Sequence, residues 1–230
     1  MRIGPFISLL SKTYGLHEPS VAAVARVIRE AGWLTTGARG VNAPEMTHVD
    51  AARLTLALLS GEPPGKVVEE FEFLRALEAN PPPPPTGFTA GSGLDQAHCL
   101  EYGLIWLFGL TSASSTIREH GERFLDRLFW PNITVSVDAS ARAAQIQYSD
   151  CSCAYEDLAR DRELDELSAQ PFTLETLQKQ LEIRERSTGW DTSGVALERG
   201  MRVVRTITHN EISMIADAIA APAHAAKRQD

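Results

Sequence analysis

Ser20-Val21-Ala22-Ala23-Val24-Ala25-Arg26-Val27-Ile28-Arg29-Glu30-Ala31-Gly32 decides the N-terminal fold by its periodicity. At 100° per residue Val21, Val24, Ala25, Ile28 and Ala31 share one face, and Ala22, Ala23, Arg26 and Glu30 point roughly the other way, with Arg29 on the flank. Ser20 stands where an N-cap hydroxyl accepts from an orphan amide, and Gly32 where glycine takes the left-handed C′ conformation. The spacing predicts a helix over 20–31. Its outer face admits two readings. One is a solvated surface. The other is a groove-facing surface, because two small residues beside an arginine allow close approach and a guanidinium forks to a guanine edge or a phosphate.

On the N-terminal side, Phe6, Ile7, Leu9, Leu10 and Tyr14 predict a helix opened by Pro5 and stopped at Gly15, with a short turn to Pro19. On the other side Trp33-Leu34 is short and apolar. Thr35 to Met46 is rich in turn formers around Gly37-Ala38-Arg39-Gly40. Thr47 caps the next helix, with Asp50 in the place of a weaker capping box, and Val49, Ala52, Leu56 and Leu59 form its apolar stripe. After Gly61-Glu62-Pro63-Pro64-Gly65 a fourth helix carries Val67, Val68, Phe71, Phe73 and Leu74.

This order of helix, tight turn, helix ending Arg29-Glu30-Ala31-Gly32-Trp33-Leu34, Gly/Arg loop and Thr47-capped helix resembles the MerR-like winged helix-turn-helix family. It is also similar to N-terminal regions of regulators from bacteriophages and gene-transfer-agent clusters of alphaproteobacteria. The resemblance covers residues 3–75. The family's tyrosines near the end of the second helix and the Gly-Tyr-Arg of its wing are missing, so inducer sensing and promoter twisting do not carry over. The resemblance implies that residues 20–30 read DNA. Arg26 would meet a base edge with Ser20, Ala22 and Ala23 close by. Arg29 and Lys12 would contact phosphates, Arg39 the backbone or a minor groove, and Asn42 would add a hydrogen bond.

Composition sets the bounds. The 230 residues are 43% apolar and 23% charged, with a formal charge of −8, which excludes a generally basic nucleic-acid coat but not a local reading patch. Residues 1–55 hold six cations (Arg2, Lys12, Arg26, Arg29, Arg39, Arg53) against four anions (Glu18, Glu30, Glu45, Asp50), a net of +2. So mild an excess binds weakly in one copy, and two copies on a pseudo-palindrome would repair that, so a homodimer is expected. The longest apolar stretch, Tyr102–Leu110, falls far short of a membrane span, and no signal peptide is visible. Three cysteines read as reduced thiols in a cytoplasmic protein.

Five prolines at Pro81–Pro85, followed by Gly91-Ser92-Gly93, divide the chain. The expected organisation is a winged helix-turn-helix over 1–79, a Pro/Gly-rich linker over 80–93, an α+β dimerisation or partner-binding module over 94–222 and a tail over 223–230. In the second module helices are expected over Leu94–Leu110 and Ser115–Trp130. Ile133, Val135 and Val137 alternate as a strand, Asp138-Ala139-Ser140 turns, and Ala144–Tyr148 completes a hairpin. Met201–Ile207 is a third strand, and Thr208-His209-Asn210-Glu211 opens a last helix with Ile212, Ile215, Ala216 and Ile219 on one face. Tyr155–Leu167 reads as a solvated acidic stretch and Thr173–Arg186 as a helix with Glu175/Lys179 and Glu182/Arg186 pairs. The whole is an α+β fold, mostly helical, with a small antiparallel sheet.

Motifs for chemistry are sparse. Cys151-Ser152-Cys153 and His98-Cys99 make a poor zinc set, since adjacent residues seldom ligate one ion. Ser112-Ala113-Ser114-Ser115, His120 and Asp126 lack a Gly-x-Ser-x-Gly elbow, and His209 reads as part of a helix start. Gly87–Gly93 lacks the Lys-Ser/Thr of a phosphate loop. No enzyme, cofactor or metal is expected. The expectation is a sequence-specific double-stranded DNA-binding transcription regulator of phage or gene-transfer-agent type, whose second module dimerises or contacts RNA polymerase or another transcription protein. Two alternatives stay open: a module that inhibits a host complex, of phage anti-defence type, and a DNA-packaging recognition subunit.

Overall fold

The computed structural model describes residues 1–37, 43–80, 97–111, 133–138, 143–148, 151–171, 173–188 and 204–226. Helices α1 (Ile3–Tyr14), α2 (Glu18–Glu30), α3 (His48–Ser60) and α4 (Val67–Arg75) lead into the short strand β1 (Glu78–Asn80). Then come α5 (Leu100–Thr111), β2 (Ile133–Asp138), β3 (Ala143–Tyr148), β4 (Cys151–Glu156), α6 (Leu158–Ser168), α7 (Leu174–Thr188), β5 (Val204–Thr208) and α8 (His209–Ala226). The fold is α+β, with one antiparallel sheet in the order β1-β4-β3-β2-β5.

Alternation decides the two faces of that sheet. Ile133, Val135, Val137, Ile146, Cys153, Tyr155 and Ile207 are buried in a core shared with α1 to α5 and α8. The opposite face is uncharged and polar near its middle: Thr208, Thr134, Gln147 and Ser152 lie in register across four strands. α5 crosses the inner face at Gly103, where a Cβ would stand 2.6 Å from the Tyr155 hydroxyl and 2.8 Å from Ile146 Cδ1. Arg205 of β5 reaches α3, donating from Nη1 to the Ser60 carbonyl at 3.2 Å, where a cation suits a helix C-terminus.

β1 stands just before the proline run, yet it pairs with β4 beyond that run, Ala79 opposite Tyr155. Ala79 N–H also donates to the His98 carbonyl and Leu100 N–H to that of Leu77. Residues on both sides of Pro81–Pro85 therefore contribute to one apolar core.

The hairpin β2–β3, the strand at 204–208 and the closing helix with Ile212, Ile215 and Ala216 buried agree with the pattern. Thr47 and Asp50 form a full capping box. Other details differ. α2 starts at Glu18 with His17 as N-cap, and Ser20 is inside its first turn, its N–H bonded to the His17 carbonyl at 2.9 Å. Pro19 explains this, since a proline in the first turn lacks only a donor that has no partner there. α2 ends at Glu30, which leaves Ala31 exposed rather than on the buried face. α5 begins at Leu100, because Cys99 bridges to Glu78. Residues 94–96, the helix expected over 115–130 and the turn residues 139 and 140 lie outside the described residues. The acidic stretch from Tyr155 divides into the end of β4 and α6, with Asp157 capping α6 by accepting from Arg160 N–H at 3.1 Å. Among the described residues, no helix is long and apolar enough to cross a membrane.

Candidate nucleic-acid interface

α1 and α2 are joined across Gly15-Leu16-His17. Gly15 adopts φ +65°, and Ser11 Oγ donates to the Leu16 carbonyl at 2.6 Å, which fixes the turn. Phe6 and Leu10 of α1 and Val21, Val24, Ala25 and Ile28 of α2 are buried. Burial of the α2 side chains sets the rotation of that helix about its axis, since Val21, Val24 and Ile28 each contribute on the order of 1.5–3 kcal/mol only while they face inward. Ser8 Oγ adds a bond to Glu18 Oε1 at 2.8 Å. Tyr14 Oη and Thr55 Oγ1 lie 2.7 Å apart, and burial drives the Tyr14 phenol far above its usual range, against the opposing Thr55 bond.

With that rotation set, Arg26 is 66% exposed, as is Glu30, and the two form a loose pair at 3.9 Å. Arg29 is exposed on the same helix, and Ala22 and Ala23 are half-buried. Lys12 is exposed in the last turn of α1. Ser20 and Ala23 line a different feature. With Pro19, Val24, Gly61, Glu62, Pro63 and Pro64 they border an open cleft of about 490 Å³ between α2 and the α3–α4 turn. Ser20 and Ala23 thus share a surface with an acid, Glu62, which Arg26, three residues after Ala23, borders, while Ala22 and Arg29 lie farther around the helix. Arg39 and Asn42 lie outside the described residues. The flanking segments 31–37 and 43–47 contain no strand.

The base of that loop is pinned on both sides. Thr35 donates from N–H and hydroxyl to Asp50 at 2.7 and 2.9 Å, while Asp50 also accepts from the Thr47 amide and hydroxyl, each at 2.8 Å. Met46 N–H donates to the Met1 carbonyl at 2.7 Å.

Immediately after α2 lies a cluster that pattern reasoning missed. The Trp33 indole stacks beneath the Arg75 guanidinium at 4.2 Å, with Arg53 at 5.5 Å and Phe71 edge-on at 5.6 Å. Its Nε1 donates to Glu72 at 3.2 Å, and its carbonyl accepts from Arg53 at 3.0 Å. Both guanidiniums converge on the Glu101 carboxylate, Arg53 Nε at 2.6 Å and Arg75 Nε at 2.8 Å. The available signal was Glu101 itself, an acid inside the apolar segment Leu100–Thr111 that must find a cation when buried.

No group of three His, Cys, Asp or Glu side chains among the described residues is placed to hold a metal ion. Cys153 is buried, and burial pushes its thiol pKa up, against an opposing hydrogen bond from Tyr155. Comparison of the chain with family models, with curated proteins and with solved structures gives no match.

Proposed function

We propose that this chain is a non-enzymatic, sequence-specific double-stranded DNA-binding regulator of transcription, with α2 as its reading helix and Arg26 at a base edge. The supporting observation is that α2 follows α1 across a tight turn and turns Ala22, Arg26 and Arg29 to the outside, while its apolar side is committed to the core. A partner surface of small residues and guanidiniums suits a groove lined by phosphates and guanine edges. In this reading Arg29 and Lys12 contact phosphates, Arg39 and Asn42 act from the loop, and the protein works in the cytoplasm as a homodimer. The phage and gene-transfer-agent setting rests on the family resemblance.

Fluorescence polarisation with genomic fragments, at two salt concentrations, tests the reading. Expected are preferred fragments and affinity that falls with salt. Arg26→Ala should cost about 1–3 kcal/mol and relax the preference, while Arg39→Ala should weaken all fragments evenly. No preference for any fragment overturns it.

A second reading, a protein-interaction module, is favoured by Glu62 beside Ser20 and Ala23, because an acid on that flank repels phosphate.

A further inference from the structure

We infer that the α3–α4 turn is a second base-reading element, in which Glu62 accepts a hydrogen bond from the exocyclic amine of a cytosine next to the guanine met by Arg26, and Lys66 holds a flanking phosphate. This rests on the DNA reading of α2 and names part of the sequence that α2 would select.

The turn is built to hold its side chains still. Gly61 closes α3 at φ +69°, its N–H bonded to the Leu58 carbonyl at 3.2 Å. Glu62 N–H donates to Ser60 Oγ at 3.3 Å, and that hydroxyl donates to the Ala57 carbonyl at 2.7 Å. Pro63 and Pro64 fix two backbone angles. The Pro63 carbonyl accepts from the Lys66 and Val67 amides at 2.9 and 3.1 Å. From behind, Arg205 of β5 fills the space that a side chain at Gly61 would need. The turn also stands against the right part of α2. It borders one cleft with Pro19, Ser20 and Ala23, and in a helix-turn-helix the N-terminal residues of the second helix reach base edges.

Chemistry selects what Glu62 meets. It is half-buried, and its carboxylate has no hydrogen bond or ion pair among the described residues. A carboxylate only accepts. It is repelled by phosphate, and the donors in the major groove are the amines of cytosine and adenine. The adenine amine stands beside N7, an acceptor that opposes the second carboxylate oxygen, whereas cytosine presents its amine without one. A guanidinium and an acid side by side therefore suit G·C-rich sequence, with Arg26 on a guanine edge and Glu62 on a cytosine edge. Lys66 is exposed at the N-cap of α4, and its ammonium has no partner among the described residues. It brings residues 61–66 to zero net charge, so the turn approaches a polyanion without net repulsion, and an exposed ammonium is a phosphate ligand.

Selection of duplexes from a randomised pool by the full chain, then fluorescence polarisation on the selected duplex, tests this. The wild type should enrich a guanine with a cytosine next to it. Arg26→Ala should erase the guanine preference. Glu62→Gln should erase the cytosine preference alone and shift it toward adenine, which an amide meets at both N6 and N7. Replacing that C·G pair by T·A should weaken the wild type about tenfold and leave Glu62→Ala nearly unchanged. Lys66→Ala should weaken every duplex evenly and lower the salt slope by about 1. A Glu62→Gln protein that binds all duplexes more tightly while selecting the same sequence overturns the inference and leaves the reading of α2 standing. A Lys66→Ala protein with unchanged affinity and salt slope removes the phosphate contact from it. A wild type that selects no sequence overturns both.

Discussion

Glu101 Oε1 accepts a hydrogen bond from Arg53 Nε at 2.6 Å and thereby joins α5 to α3. Glu101 is 5% exposed and its carboxylate also binds Arg75, while both arginines lean on Trp33 just after α2. A single acid thus ties α3, α4, α5 and the residue that terminates α2.

Removing that acid leaves two partly buried guanidiniums without their counter-charge. Glu101→Ala should destabilise the fold by about 2–4 kcal/mol, below the full value for a sealed pair because both arginines retain some water contact. Urea denaturation followed by tryptophan fluorescence measures it. A loss under about 0.5 kcal/mol would show that the cluster is merely a surface ion network.

Gly103 is required by contact rather than by backbone angle. Gly103→Ala places a methyl group against the Tyr155 hydroxyl and Ile146, an overpacking that costs about 1–3 kcal/mol. The hydroxyl is the nearest obstacle, so Tyr155→Phe combined with Gly103→Ala should lose less than the two single changes added together. Thermal melts of the four proteins in the cycle decide this, and strict additivity would argue against the contact.

Asp50 serves two segments at once, since it caps α3 and holds Thr35 at the foot of the loop. Asp50→Ala should cost about 2–4 kcal/mol, more than an ordinary cap, because buried amides and hydroxyls lose their acceptor. Hydrogen exchange should quicken at the Thr35 amide as well as in the first turn of α3. Faster exchange in α3 alone would separate the two roles.

Two histidines make stability depend on pH. Burial holds His209 below its usual pKa, against the opposing pull of Asp217, and it does the same for His48 against Asp50. The unfolded chain binds these protons near pH ~6.5 while the folded chain resists them, so their contribution is complete above that value and is lost as pH falls through it. The urea midpoint should therefore drop between about pH 7.5 and about pH 5.5, and His209→Gln should flatten part of that slope. An equal slope in the variant would remove His209 from the account.

The elements whose apolar residues repeat with an uninterrupted period were legible. α1, α3, α4, β2 and α8 announce themselves through stripes such as Phe6/Leu10, Ile133/Val135/Val137 and Ile212/Ile215/Ala216, and Thr47 marks a helix start by local hydrogen bonding alone. β4 did not, because Cys151-Ser152-Cys153-Ala154-Tyr155-Glu156 alternates among residues of middling hydropathy and adjoins an acidic run. β1 is three residues long and contains no β-branched side chain. In the candidate interface, the exposure of Arg26 and Arg29 followed from the wheel. The split that sends Ser20 and Ala23 toward Glu62 did not, because it depends on where the α3–α4 turn lies.

Local pattern by itself determined the helical N-terminus, the orientation of α2 and the presence of a small antiparallel sheet, because periodicity and capping are properties of neighbouring residues. Only tertiary structure decided that Ala79 pairs with Tyr155 beyond the proline run, that Glu101 gathers Arg53 and Arg75 around Trp33, and that Gly103 lets α5 settle on the sheet. Those relationships join residues dozens of positions apart. Such contacts are selected by burial of a shared core and by the need of each buried charge for a partner, and no local signal encodes either.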